Sequence, residues 1–226
     1  MARLATFLLL SALSAVCIAA NIEKLSNADA VAGLREALAD GSAAAVAQLG
    51  KENGFLGNPK VKIPLPPTLQ RVESALRFAG MKQQADELVT AMNRAAEAAV
   101  PEAKPLLLDA VKRMSVQDAK GILIGGDTSV TEYFHRTTHA QLTQRFLPIV
   151  KQATDRAGLA AKYNSLAGHA TQLGLVGKEQ ASIESYVTSK ALDGLYLMIG
   201  EQEKAFRQNP AAATSNIVRK VFDAIR

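Results

Sequence analysis

"MKQQADELVTAMNRAAEAAV", residues 81–100, is the stretch that decides the fold. Apolar side chains recur in it every three or four residues, which is the spacing that brings side chains onto one face of an α-helix. The residues on this stripe are Met81, Ala85, Leu88, Met92 and Ala96. Charged and amide side chains occupy most of the positions between them. The stretch therefore predicts an amphipathic helix that packs one side against a core.

The same spacing recurs along most of the chain, and no stretch alternates apolar and polar residues as a half-buried strand does. We therefore predict an all-α, single-domain multi-helix bundle over residues 21–226. At its start, Gly41 ends the first helix and Ser42 caps a second one that runs to about Asn53. Further helices are predicted over 67–80, 81–100, 101–114, 115–124, 128–157, 179–208 and 210–225.

One connector rich in proline and glycine interrupts this pattern: "NGFLGNPKVKIPLPP", residues 53–67. It is also rich in apolar residues, so we expect it to pack in extended form against the helices, with a short strand at Lys60–Ile63. Pro67 suits the first turn of the next helix, because its missing N–H has no partner there. Ser115 is the predicted cap of a later helix, and Asp118 lies in its first turn.

One cation, Arg3, lies near the start of the chain. It is followed by an apolar run over residues 4–18. This pattern is typical of a signal peptide, here residues 1–20, with cleavage after Ala19 or Ala20. This run is shorter than the roughly 20 residues that a membrane-spanning helix needs. The rest of the sequence contains only shorter apolar runs. We therefore predict a periplasmic or secreted protein with no transmembrane segment.

Cys17 is the single cysteine of the chain and lies inside this leader. A lipid on Cys17 would make the protein a structural envelope lipoprotein. The lipidation motif, however, has a small residue just before the cysteine, where this chain has Val16. It also has a branched aliphatic residue two positions further back, where this chain has Ser14. Without Cys17 the chain has no thiol, which excludes disulfides, thiolate zinc sites and cysteine catalysis. Its net charge of +5 comes from interspersed residues, so a nucleic-acid partner is not predicted.

Two of the three histidines lie close together in "TEYFHRTTHA", residues 131–140. On a helix, Glu132, His135 and His139 share a narrow arc. Two imidazoles and a carboxylate can hold Zn²⁺ and leave a position open for water, so one alternative is a metal-dependent hydrolase. The other interpretation is a solvent-facing helix surface, because the apolar residues lie on another arc. These apolar residues are Val130, Tyr133, Phe134 and Ala140.

The remaining side chains form no known catalytic arrangement, since the chain lacks a nucleophile elbow and an evident carboxylate pair. We therefore predict a non-enzymatic protein without a cofactor, which binds a protein partner or an apolar small molecule. Met81, Met92, Phe134 and Met198 are the candidate lining of an apolar cavity. Methionine suits adaptable apolar sites, and it suits an ordinary core equally well.

Four phrases, in one order and at similar spacing, resemble the secreted bacterial family called domain of unknown function 4197. They occupy residues 33–69, 92–123, 131–150 and 186–210, and the last of them reads "YVTSKALDGLYLMIGEQEKAFRQNP". The resemblance extends over about 31–222. It implies one all-helical domain exported to the bacterial envelope, sometimes as a lipoprotein. It implies no activity and no catalytic residue, and it associates the position of His135 with a basic residue.

Overall fold

The computed structural model describes residues 26–126, 128–158, 161–163, 165–166, 169, 182–212 and 215–224. These residues form nine α-helices and two short 3-10 helices, and they contain no strand. In chain order the helices are α1 (Asn27–Leu49), α2 (Pro67–Arg71), α3 (Glu73–Phe78), α4 (Lys82–Ala99), η1 (Val100–Glu102), α5 (Ala103–Arg113), α6 (Val116–Ile124), α7 (Ser129–Arg156), α8 (Ile183–Gln208), η2 (Pro210–Ala212) and α9 (Asn216–Asp223). The all-α prediction is therefore confirmed.

The described residues divide into two compact units, and each unit combines segments that are distant in sequence. Unit 1 consists of the described parts of 1–43, 107–137 and 198–226, and unit 2 of those of 44–106 and 138–197. Helices α1, α5, α7 and α8 contribute residues to both units. The leader, residues 1–20, and Cys17 lie outside the described residues. The single domain over 21–226 stays a prediction.

The glycine at position 41 does not end a helix, so this part of the prediction is wrong. Helix α1 continues through Gly41 to Leu49, and Ser42 is a buried residue inside it. A Cβ atom at position 41 would lie 3.2 Å from the Cβ of Gln202. Glycine therefore permits a close approach to α8 within unit 1, although it lowers intrinsic helix propensity by about 1 kcal/mol.

Unit 1 is held together by buried apolar faces and by local polar contacts at the helix ends. Ser115 and Asp118 form the predicted capping box at the start of α6, with the Asp118 N–H 3.0 Å from the Ser115 hydroxyl. Arg207 on α8 forms an ion pair with buried Glu203 and donates to the carbonyl of Ile122, 2.6 Å away, near the end of α6. Both ends of α6 thus have polar partners.

Unit 2 is built around α4, whose predicted apolar stripe is buried along its whole length. Met81, Ala85, Leu88, Met92 and Ala96 are all buried, which confirms the amphipathic helix. Met81 lies just before the helix as its N-cap residue. The polar face of α4 faces outwards, and it carries the charged residues of the candidate site.

Most apolar side chains of the connector are buried, as predicted, but residues 53–61 form successive turns rather than an extended chain, and the connector forms no strand in the described part of the chain. Phe55, Val61, Ile63 and Leu65 are buried. Pro67 occupies the first turn of α2, as predicted, but the helix expected over 67–80 is interrupted at Val72.

Two buried polar side chains of α4 fix the connector backbone. The Asn93 side chain accepts from the Ile63 N–H at 2.9 Å and donates to the Ile63 carbonyl at 2.9 Å. Glu97 accepts from the N–H groups of Phe55 and Leu56 at 3.0 and 3.1 Å. The backbone bonds that a strand partner would supply therefore come from side chains.

None of the helices that the structure describes has both the length and the apolar composition needed to cross a membrane.

Candidate functional site

The predicted metal-binding side chains differ in exposure along α7. Glu132 and His135 are exposed, and Glu132 accepts a hydrogen bond from the Thr128 hydroxyl at 2.9 Å. His139 is half-buried, and its ring lies 6.3 Å from the ring of Tyr196. Among the described residues, no group of three or more His, Cys, Asp or Glu side chains is arranged to hold a metal ion. The metal site stays a prediction.

The helical wheel of this stretch is confirmed except at one position. Val130, Tyr133 and Phe134 are buried, as predicted, whereas Ala140 is exposed. Thr138 is buried instead, and its hydroxyl lies 3.0 Å from the Tyr196 hydroxyl. Burial raises the pKa of Tyr196 to about 12, although the hydrogen bond with Thr138 opposes the rise. Because residues two positions apart lie on nearly opposite sides of a helix, the buried face of α7 is shifted away from Ala140 and towards Thr138.

The four residues proposed to line an apolar cavity are all buried, but they are divided between the units. Met81 and Met92 belong to unit 2, whereas Phe134 and Met198 belong to unit 1. None of them lines the pocket described next. Their burial agrees with ordinary core packing, and the apolar cavity stays a prediction.

An open pocket of about 860 Å³ lies on the polar face of α4, entirely within unit 2. We call it the α4 groove. Its lining consists of Gly80, Lys82, Gln83, Asp86, Glu87, Thr90, Ala91, Arg94, Ala157 and Lys162. Seven of these ten residues carry charged or polar side chains. The volume falls in the range of small-molecule sites.

An ion pair crosses the groove between Glu87 on α4 and Lys162. The Lys162 ammonium lies 2.5 Å from the Glu87 carboxylate, and both side chains are partly exposed. The Gln83 amide donates to the same carboxylate at 3.0 Å. The hydrogen bond from Lys162, together with the one from Gln83, holds the pKa of Glu87 below its usual value. Glu87 is therefore an anion at neutral pH.

A second carboxylate, Asp86, is surrounded by three cations. Arg77 on α3 donates to it at 2.9 Å, and this bond is the main reason why the pKa of Asp86 is lowered. Lys82 and Lys62 lower the pKa of Asp86 further through their charges alone. Arg77 also binds Glu73. Of these three cations, only Lys82 lines the groove.

Arg94 lies at the other end of the groove and joins it to the connector. Its guanidinium contacts the Glu97 carboxylate at 2.6 Å, Glu52 at 3.2 Å and the Asn53 side-chain oxygen at 2.9 Å. Asn53 has a left-handed backbone, with φ of 63°, at the start of the connector. These contacts fix the position of Arg94, so this end of the groove has a defined shape.

Phe78, the last residue of α3, is 96% exposed, more than any other large apolar residue in the described part of the chain. It lies two residues before Gly80, which has φ of +81° and lines the groove. A positive φ suits glycine, and here it allows the chain to turn from α3 into α4. The turn leaves the aromatic ring of Phe78 in solvent.

Sequence reasoning missed the α4 groove. Its α4 residues follow helical spacing at Gln83, Glu87, Thr90 and Arg94. This spacing was the only signal, and it is the same for any solvated helix face. The opposite wall comes from Ala157 and Lys162, more than 60 residues further along the chain. Only tertiary packing could bring the two walls together.

A known protein family matches the chain. The family model described as "Protein of unknown function (DUF4197)" matches residues 24–223. This range includes both walls of the α4 groove and the four phrases that suggested the family. No curated protein and no solved structure matches the chain. Because the match covers most of its length, the chain belongs to the DUF4197 family of proteins of unknown function.

Proposed function

We propose that the protein is exported and acts by binding a partner in the α4 groove rather than by catalysis. The observation that carries the proposal is the groove itself, with a volume of about 860 Å³ and with charged or polar residues at seven of its ten lining positions. The charged groups of these residues can pair with charged groups of a ligand, and the carbon atoms of the side chains, which make up most of the lining surface, can contact apolar groups. The sequence leaves two kinds of partner open, a protein and an apolar small molecule. The composition of the groove favours the protein.

The exposed ring of Phe78 supports a macromolecular partner. Phe78 has 96% of its surface in water, so covering its ring with another surface lowers the free energy. One exposed apolar residue alone is common on protein surfaces. Phe78 is only two residues from the groove residue Gly80, and an exposed apolar ring together with charged side chains is the composition of many protein interfaces.

The binding proposal is tested by blocking the groove. Ala91 lies on its floor and is only partly exposed, so Ala91→Trp fills part of the volume. Ala98→Trp is the matched control, because Ala98 is an exposed residue of the same helix outside the groove lining. Native mass spectrometry of protein purified from its own host compares the bound and the bare masses.

We expect a bound molecule on the natural protein and on Ala98→Trp, and its loss from Ala91→Trp. Circular dichroism checks that both variants remain helical. Bare protein in all three samples would contradict the proposal. A bound mass equal to one zinc ion, unchanged by Ala91→Trp, would instead support the site at Glu132, His135 and His139.

Export is tested on the same purified protein by using mass spectrometry to identify the residue at which the chain starts. A chain that starts at Ala20 or Asn21 in the extracytoplasmic fraction agrees with cleavage of the leader. A chain that starts at a lipid-bearing Cys17 supports the envelope lipoprotein. An intact chain from Met1 in the cytoplasm contradicts both.

A further inference from the structure

The turn between α3 and α4 borders the α4 groove and holds Phe78 in a fixed position. The Met81 N–H donates to the Leu76 carbonyl at 3.0 Å, and the Gly80 N–H donates to the Arg77 carbonyl at 3.2 Å. Together with the positive φ of Gly80, these two bonds form a Schellman motif, which ends a helix in one defined conformation. Hydrogen bonds of the backbone therefore set the position of Phe78.

The same turn keeps the ring of Phe78 on the surface of unit 2. Leu76 is buried, and Phe78 lies two positions later, about 200° further around the helix axis. Met81, after the turn, is also buried, whereas Phe78 is 96% exposed. Because the fold already holds the ring in place, another molecule can cover it at little cost in conformational entropy.

The charged residues around Arg77 include more cations than carboxylates. Arg77 binds two carboxylates, Glu73 at 2.7 Å and Asp86 at 2.9 Å. The charges of Lys82 and Lys62 lower the pKa of Asp86, which places both ammonium groups near this carboxylate. Both lysines are exposed, and neither forms an ion pair within the described part of the chain. These two lysines are therefore free to pair with anions of a partner.

The other charges that line the groove have direct partners. Asp86 binds Arg77, Glu87 pairs with Lys162 at 2.5 Å, and Arg94 contacts Glu97 at 2.6 Å. A cation of a partner would have to compete with these internal cations for a carboxylate. The groove and the turn therefore favour a partner that carries anions.

Phe78 and Lys82 are close enough to belong to one interface. They are four positions apart, so their backbone positions are at most about 14 Å apart even along a fully extended chain. An ordinary protein interface covers about 800 Å² on each partner, which is a patch roughly 30 Å across. One partner can therefore contact the ring, the lysines and the groove together.

From this turn and these charges we infer that the partner protein binds through an acidic surface that contains an apolar pocket. The pocket receives the ring of Phe78, and carboxylates beside it pair with Lys82 and Lys62. The inference rests on the proposed binding function and specifies the chemistry of the partner. Anionic lipid would also attract the lysines, but proteins that bind a bilayer surface use larger sets of cations and apolar side chains than one ring and two lysines.

A photocrosslinker at position 78 tests this inference in the protein's own host. Phe78 is replaced by p-benzoylphenylalanine, whose ketone reacts under light with neighbouring C–H bonds, and mass spectrometry identifies the attached molecule. The matched control has the same analogue in place of Ala98, an exposed residue of α4 that does not line the groove. We expect position 78, but not position 98, to give an adduct with a protein segment in which carboxylates outnumber cations.

Calorimetry with the purified partner then tests the charge and the ring separately. Lys82→Glu and Phe78→Ala are each expected to weaken binding about ten-fold. Replacing an acidic residue of the cross-linked segment by lysine should restore part of the affinity for Lys82→Glu. Lys120→Glu makes the same change in net charge at an exposed residue outside the groove lining, and it should leave the affinity unchanged. Circular dichroism checks that the variants remain helical.

Three results of the cross-linking would each overturn the inference: no adduct from position 78, an adduct with lipid, or an adduct with a segment in which cations outnumber carboxylates. In the calorimetry, an affinity that Lys82→Glu leaves unchanged would show that the lysine does not attract the partner. An affinity that Phe78→Ala leaves unchanged would show that the ring enters no pocket. Either result would also overturn the inference.

The two proposals fail in distinguishable ways. If Ala91→Trp removes a bound molecule that copurifies with the protein, but position 78 gives no protein adduct, the groove functions as a binding site and only the acidic partner surface is wrong. If nothing copurifies and position 78 gives no adduct, the binding function itself is wrong.

Discussion

Replacing Asn93 with alanine is expected to release the connector from α4 and to destabilise the protein strongly. Asn93 is completely buried, and its side chain makes three hydrogen bonds. Two join it to the N–H and carbonyl of Ile63, and the third is donated to the Val89 carbonyl at 2.7 Å. No other hydrogen bond within the described residues replaces the two at Ile63. The substitution therefore leaves a buried backbone donor and acceptor without partners.

The magnitude follows from the number of groups left unpaired. Each buried polar group without a partner costs about 1–3 kcal/mol. Two such groups at Ile63 give an expected loss of about 2–6 kcal/mol in the free energy of unfolding. The carbonyl of Val89 adds little, because it also accepts within α4. A loss of this size is a large fraction of the stability of an ordinary domain.

Urea denaturation followed by circular dichroism measures this loss as a shift of the midpoint at constant slope. Gln84→Ala is the matched control, since Gln84 is an exposed residue of the same helix, and it should change stability by less than about 0.5 kcal/mol. Hydrogen exchange at the Ile63 amide gives a local measurement, and it should accelerate in Asn93→Ala. A loss below about 1 kcal/mol, with Ile63 still protected, would refute the proposed role of Asn93.

The glycines of α8 and α6 should respond in opposite ways to alanine. Gly194→Ala places a Cβ atom 2.8 Å from the Phe55 ring, so we expect a loss of about 1–3 kcal/mol in urea denaturation. Gly121→Ala meets no atom within 4 Å in the described structure and should stabilise α6 by about 0.5–1 kcal/mol; the opposite order would contradict the close packing of Gly194. Asp118→Ala should cost about 1 kcal/mol at pH 7, because the capping box and the contact with Arg136 are lost. The hydrogen bond from the Ser115 hydroxyl is the main reason why the pKa of Asp118 lies below 3.8. The stabilisation by Asp118 is therefore present above pH 3.8 and disappears as the pH falls through the lowered pKa. A stability difference between the natural protein and Asp118→Ala that persists at about pH 2 would show that the carboxylate charge is not responsible.

The capping box shows which parts of the fold a sequence can predict. Ser115 and Asp118 are three residues apart, and their interaction is completed within one helical turn. The same holds for the stripe on α4, because every position on it follows from helical periodicity. Such local rules gave the helical class and several of the helix boundaries.

Gly41 and the connector show where local rules fail. The propensity cost of Gly41 is small, and a contact with Gln202, far away in sequence, decides that the helix continues. In the connector, Val61, Ile63 and Leu65 are buried alternately, as in a strand, but the backbone of Ile63 is paired with the Asn93 side chain. A sequence pattern gives the burial of a residue more readily than the identity of its partner.

The α4 groove was beyond prediction for the same reason. Glu87 is an ordinary surface residue until Lys162, 75 residues later, lies against it. A polar helix face becomes part of a site only when another segment of the chain packs opposite it. The sequence of the helix does not indicate which segment that is. The charges of the groove could be read from the sequence, but their grouping could not.

The assembly of unit 1 from distant segments bears on the order in which the protein can fold as it leaves the ribosome. Lys220 on α9 forms an ion pair with Asp29, 191 residues earlier, and a Cβ at Gly33 would lie 2.5 Å from Val221. These contacts cannot form until almost the whole polypeptide has emerged. We therefore expect unit 1 to remain incomplete throughout synthesis, with the apolar face of α1 available to chaperones until α9 arrives.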